Sequence, residues 1–286
     1  MNKGKPLIEQ GWLRVTAFFI CFIVFQVIAT LLIGLWKMLA DNTSAVNVIT
    51  ITIIFNFCTS LVLVFLCRRL IDKDTVYSLG LNFLSYKLNG LLGLLMGIAG
   101  LGVGTFLLIA FKNLKFTGWF FDWGNIGWAF VLMLLVAIAE EIMFRGYILN
   151  NLMRSLNKYT ALVISSLIFA LAHSTNPEFN LLAFVNVFLA GIFLGIDYIH
   201  TKNLFYAVVL HFTWNFFQGP VLGFEVSGIE FPSIFQIQLS GNELITGGKF
   251  GFEGSLPATV VLILSIILLF ISFRIKTRAT TAKPVN

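Results

Sequence analysis

Along these 286 residues, stretches of about twenty apolar side chains recur with hardly a charge inside them. A helix of about 20 apolar residues crosses the hydrocarbon core of a bilayer. No water-soluble interior of this size could absorb so much apolar surface. Composition agrees, because 58% of the residues are hydrophobic and only 11% charged, against roughly 25% charged in a soluble globular chain. The expected fold is therefore all-α: a polytopic membrane helix bundle. About eight spans can be drawn, near residues 14–36, 45–67, 89–111, 124–149, 159–175, 181–199, 203–219 and 256–273. The fifth and seventh are short, which suits helices buried among neighbours. The first run is too long for a signal-peptide core, and no small-residue cleavage site follows before Lys37, so it reads as a retained span.

The net charge of +6 does not indicate nucleic acid, since Lys and Arg gather at the ends of apolar runs and not on one basic face. Sorted by the eight spans, fifteen of these residues fall on the side of the N-terminus, and only Lys37, Lys112, Lys115 and Lys249 fall on the other. Basic residues concentrate on the cytoplasmic side, so both termini are expected there, in a multi-pass membrane protein (of the cell membrane if bacterial). Cys21, Cys58 and Cys67 show no CxxC spacing and indicate neither a disulfide framework nor a cysteine metal site.

Three regions follow. Residues 1–120 hold the first three helices, 121–219 hold helices four to seven, and 220–286 hold a long loop, the last helix and a tail. The loop, about 220–255, is expected on the non-cytoplasmic side with Glu225, Glu230, Glu243 and Glu253. Its segment Ile234–Leu239 alternates apolar and polar, as a short strand or a surface-lying segment would. The tail after Arg274 is expected to be disordered. Gly93 with Gly97, Gly100 with Gly104 and Gly191 with Gly195 have the four-residue spacing of closely packed helices in lipid.

Ionisable residues within spans cost free energy unless paired or wetted, so they locate function. Glu140, Glu141, Arg145, His173 and His211 are such residues. Helical spacing puts Glu141 and Arg145 on one face and Glu140 about 100° away, so Arg145 is expected to neutralise Glu141 and leave Glu140 free. Adjacent carboxylates in a dry site also repel, and a carboxylate held near neutrality suits proton transfer. The apolar pattern after Glu140 continues to a turn near Asn157. Glu140 lies 17 residues before that turn and His173 16 after it, which levels the two in an antiparallel hairpin. Counted from the turn near Lys202, His211 would sit about 10 Å nearer the cytoplasm, so a shared site requires that the seventh helix begin deeper or that the helices tilt strongly. Asn215 projects with His211, one helical turn on. The remaining histidine, His200, is expected to be solvated. Two helix-borne histidines with a carboxylate match either a metal-activated water or a metal-free general base.

Glu140-Glu141-x-x-x-Arg145, Phe169-x-x-x-His173 and His211-x-x-x-Asn215, in this order on separate spans, resemble the motifs of the CPBP intramembrane proteases. That family includes the CAAX-prenyl endopeptidases, bacteriocin-processing proteins and the Abi group. The resemblance covers about residues 124–218. It implies an endopeptidase in which Glu140 activates water and His173 holds or polarises it. His211 and Asn215 would stabilise the oxyanion, with Glu141 and Arg145 shaping the site. The family is often labelled metalloprotease, so a divalent metal such as zinc on His173, His211 and Glu140 is the open alternative to a metal-free site, with Glu141 then the next candidate base. The substrate would be a protein or peptide at the membrane, lipidated in the boldest form. A non-proteolytic immunity or scaffold protein of the same fold is the second reading. A small-solute or proton transporter comes third, because the chain shows neither an internal repeat nor paired broken spans.

Overall fold

The computed structural model describes residues 4–39 and 44–281. It is a helical bundle with one small ribbon: α1 (Gly11–Leu39), α2 (Ala45–Leu66), α3 (Lys87–Ala110), β1 (Leu114–Trp119), α4 (Trp123–Glu141), α5 (Lys158–Ala172), α6 (Leu181–Thr201), α7 (Phe205–Phe216), β2 (Phe235–Leu239) and α8 (Leu256–Thr281). Among the described residues six helical stretches are long and apolar enough to cross a membrane, and the chain is a multi-pass membrane protein. The expected spans 159–175 and 203–219 become the shorter helices α5 and α7. Many large apolar side chains of α1, including Leu31 and Leu32, are exposed on its surface, as a helix facing lipid requires.

Helix starts are set by polar caps that answer otherwise unpaired N–H groups. Asp122 accepts from Asn125 N–H at the head of α4, Asn157 from Tyr159 and Thr160 N–H at α5, and Asn180 from Ala183 N–H at α6. Beyond Glu141 the fourth helix runs on as a widened π-helix, Ile142–Leu149, in which Asn150 N–H donates to Arg145 O five residues back. The six spaced glycines are contact points. A Cβ on Gly93 would meet Tyr206 O at 2.6 Å, and one on Gly104 would meet the Phe252 ring at 2.1 Å, so α3 lies directly on α7 and on the loop before α8.

At one end, a buried ion network ties the helices together. Asp72 takes Arg68 at 2.7 Å and Arg14 at 3.5 Å, while Asp74 takes Arg154 at 3.0 Å and Arg68 at 3.4 Å. Arg14 and Arg68 are each 1% exposed, so these basic residues are internal struts. At the other end, β1 and β2 pair antiparallel, Leu114 opposite Leu239 and Trp119 opposite Phe235. The alternating segment is therefore a strand, and its partner β1 alternates over Leu114-Lys115-Phe116-Thr117 as well.

Two expectations are corrected and a third is resolved. The tail does not lose its structure at Arg274, because α8 continues to Thr281; the rest of the tail, 282–286, lies outside the described residues. His200 is not simply solvated: it sits on α6, its ring stacked on Phe273 at 4.3 Å and its Nδ1 3.2 Å from Lys158 Nζ. The third concerns depth. α7 does not start at the level of Asn157. Leu204 lies against Gly146, whose Cβ position is 3.3 Å from Leu204 Cδ1, and Leu204 N–H donates to Gly80 O. The segment Val76–Leu79 fills the space beneath, with Leu79 fully buried. From Gly146 to Glu140 and from Leu204 to His211 are similar climbs of about 1.5 Å per residue, and so His211 reaches the level of Glu140.

Candidate active site

The levelling of α4 and α5 about the turn at Asn157 brings His173 Nε2 to 3.7 Å from Glu140 Oε2. The raised start of α7 brings His211 Nε2 to 3.9 Å from the same oxygen. Three helices thus deliver one carboxylate oxygen and two imidazole nitrogens to one spot. Glu140 keeps 25% of its side chain accessible, His173 15% and His211 8%, whereas Glu141 is sealed at 0%. The two neighbouring glutamates have been separated into one that faces a cavity and one that does not.

Glu141 is held from two sides. Arg145 donates to its Oε1 at 2.7 Å, and His211 Nδ1 lies 2.8 Å from the same oxygen. The second guanidinium nitrogen of Arg145 donates to Gly191 O on α6 at 3.1 Å, while its face covers the Phe169 ring with Cζ 4.5 Å from the centroid. Phe169 also packs against His173 at 4.5 Å and meets His211 edge-on at 6.3 Å. The ring is a common seat for both imidazoles and for the guanidinium.

The hydrogen bonds also fix which ring nitrogens carry protons. A backbone carbonyl only accepts, so His173 Nδ1, 2.8 Å from Phe169 O, must donate. That carbonyl is available because α5 ends there: His173 N–H turns to Ala170 O, three residues back. His211 Nδ1 faces a carboxylate and donates in the same way. In the neutral rings both Nε2 atoms are then bare acceptors, and they converge on Glu140 Oε2, which makes no hydrogen bond within the described protein. Three acceptors around one point call for a donor between them, and a water molecule supplies two O–H groups.

Zinc would take the same donor types, at about 2.0–2.2 Å from the ion. Among the described residues, however, no group of three or more His, Cys, Asp and Glu side chains is closed up enough to hold a metal ion. His173, His211 and Glu140 offer the right atoms without a completed ligand set.

The site opens on a cavity of about 1250 Å³, lined by residues of α1, α2 and α4–α8 and of the loop 220–255. Asn215, one turn beyond His211, lines it and is nearly buried. Two lining residues were not legible in the sequence as part of a site. Glu253 comes from the loop, and Ser227 donates to its Oε2 through N–H at 3.2 Å and Oγ–H at 2.8 Å. Burial raises the Glu253 carboxyl above its ordinary range, opposed by the Ser227 hydroxyl and by the imidazoles of His173 and His211. In the sequence it was one of four acids in a loop, with nothing to show that the loop folds back into the bundle.

No curated protein and no solved structure gives a significant match to the chain. A family model does match, described as type II CAAX prenyl endopeptidase Rce1-like, over residues 122–217. That stretch is about a third of the chain. It contains Glu140, Glu141, Arg145, His173, His211 and Asn215, the residues whose motifs pointed to the CPBP proteases. The segment that gathers these groups inside a multi-pass membrane protein is therefore similar to the type II CAAX prenyl endopeptidases.

Proposed function

We propose that this chain hydrolyses a peptide bond of a membrane-associated or lipidated protein, using a water molecule held between Glu140, His173 and His211. The observation that carries the proposal is the convergence of Glu140 Oε2 with the two Nε2 atoms at 3.7 and 3.9 Å. Glu140 takes a proton from the water as its oxygen adds to the scissile carbonyl carbon. Asn215 faces the same cavity and stabilises the oxyanion through its amide N–H, joined by His211 once its Nε2 has taken a proton, a role that fixed donors fill well where water is scarce. As the C–N bond breaks, the proton on Glu140 passes to the leaving amine. Glu141 and Arg145 act from behind, setting the His211 ring through its Nδ1. The mostly apolar cavity walls suit a substrate that arrives from the lipid.

A zinc ion on His173, His211 and Glu140 would supply Lewis acidity to the same water; no step above depends on it. Glu140→Gln and His173→Ala are expected to fold normally yet accumulate uncleaved substrate in membrane proteomics. Unchanged peptide profiles would move the reading to an immunity or scaffold protein. Metal analysis of the purified chain, with activity before and after a chelator, tests the zinc variant. Reporter fusions at both ends test the cytoplasmic placement of the termini.

A further inference from the structure

The ionisable side chains lining the cavity are Glu140, His173, His211 and Glu253, and no Lys or Arg lines it among the described residues. The one guanidinium close by, Arg145, is spent on Glu141, Gly191 O and the Phe169 ring. Its fixed charge is therefore acidic. Glu140 is committed to the chemistry. Glu253 is not, yet it is held in place with care.

The hold on Glu253 begins at a two-residue turn, Val226 to Ile229, closed by Val226 N–H to Ile229 O and Ile229 N–H to Val226 O. Ser227 and Gly228 both take positive φ there, 50° and 81°, as the tight turn of a two-residue hairpin requires. A Cβ on Gly228 would meet Pro177 O at 2.2 Å, so the turn is pressed onto the connection that follows His173. From this position Ser227 points both of its donors at Glu253 Oε2. On the other flank, Asn186 of α6 donates to the backbone carbonyls of Glu253 and Ser255 at 2.7 and 2.8 Å. The side chain keeps some accessibility, and what remains faces the cavity. Both hydrogen bonds from Ser227 go to one carboxyl oxygen, and a fixed carboxyl in an apolar-walled pocket is the kind of group that selects a ligand.

We infer that Glu253, positioned by Ser227, is a specificity residue that receives a cationic side chain (Lys or Arg) of the substrate near the scissile bond. An acidic cavity attracts a cation and repels a carboxylate, and specificity is the difference between the two. The inference rests on the proteolytic reading for the words "scissile bond", but the recognition itself can be read without turnover. The probe is a set of fluorescent membrane-anchored peptides, identical except for Lys, Gln or Glu at one position, scanned along the sequence. They are titrated against the full chain in nanodiscs carrying Glu140→Gln, with and without Glu253→Gln.

At the recognised position, Lys is expected to bind about tenfold more tightly than Gln, and Glu more weakly than Gln. Glu253→Gln is expected to flatten the series, Glu253→Asp to retain much of it, and Ser227→Ala to reduce it in part. Melting curves of each variant exclude simple unfolding. The same Lys preference with and without Glu253→Gln, or no preference at any position, would overturn the inference. Cleavage of the same peptides by the chain with Glu140 intact is scored separately. Loss of cleavage with a retained Lys preference removes the protease reading and leaves the recognition site.

Discussion

The molecule holds two buried clusters of acids and bases, and they are built to opposite ends. In the basal network, three guanidiniums, Arg14, Arg68 and Arg154, face two carboxylates, Asp72 and Asp74. Each carboxylate meets two guanidiniums. In the upper cluster one guanidinium faces two carboxylates, and of the two it pairs with Glu141 alone. Glu140 is left with two imidazoles at a distance too long for a direct hydrogen bond. A guanidinium on every carboxylate makes a strut, whereas a carboxylate left without one and open to a cavity makes a place where a reagent can sit. Besides the two imidazoles, stoichiometry and access distinguish the clusters.

Exchanging single atoms between these regimes tests that contrast. Glu140→Gln should lower turnover by about 10²–10⁴-fold, the range for a general base, with no loss of melting temperature. Asp72→Ala should do the reverse. It leaves Arg14 buried without a carboxylate and Arg68 with Asp74 alone, and breaking a buried pair costs about 3–5 kcal/mol. Thermal unfolding in detergent measures this, and cleavage per folded molecule should hold. If Glu140→Gln also unfolds the chain, the upper cluster is a strut too.

Asn215→Ala should reduce kcat by about 10²–10³-fold with little change in KM, as expected for a lost oxyanion donor. A change confined to KM would make Asn215 a binding group. The smallest effect is expected at the rim of the basal network. Arg154 is 35% exposed, and an ion pair open to solvent contributes under about 1 kcal/mol, so Arg154→Ala should shift the melting temperature only slightly.

The bundle was legible in the sequence because lipid imposes long apolar runs, and α1, α2, α3 and α6 end within a few residues of where those runs do. The partnership of Glu141 with Arg145 was legible because it is local, four residues apart on one helix. So was the levelling of Glu140 with His173, because a hairpin fixes depth by counting. The depth of His211 was left between a deeper start of α7 and a tilt, because counting cannot see the distant segment Val76–Leu79 that lies beneath α7. Glu253 and Ser227 were hidden for a similar reason. Their placement depends on a loop docking onto Pro177 and Asn186, and no periodicity encodes that. Phe169 was legible as a motif residue one turn before His173, but its contact with Arg145 was not.

The short span of α5 has a consequence for the membrane this protein can occupy. Its 15 residues measure about 22 Å at 1.5 Å per residue, well under a hydrocarbon thickness of about 30 Å. A helix can grow by a turn to suit a thicker bilayer, but this one has Phe169 O, in its last turn, engaged by an imidazole. One more turn would claim Phe169 O for the helix ladder and set the His173 ring free to rotate. Bilayer mismatch must therefore be absorbed elsewhere, by tilt of the longer helices or by local thinning of the lipid.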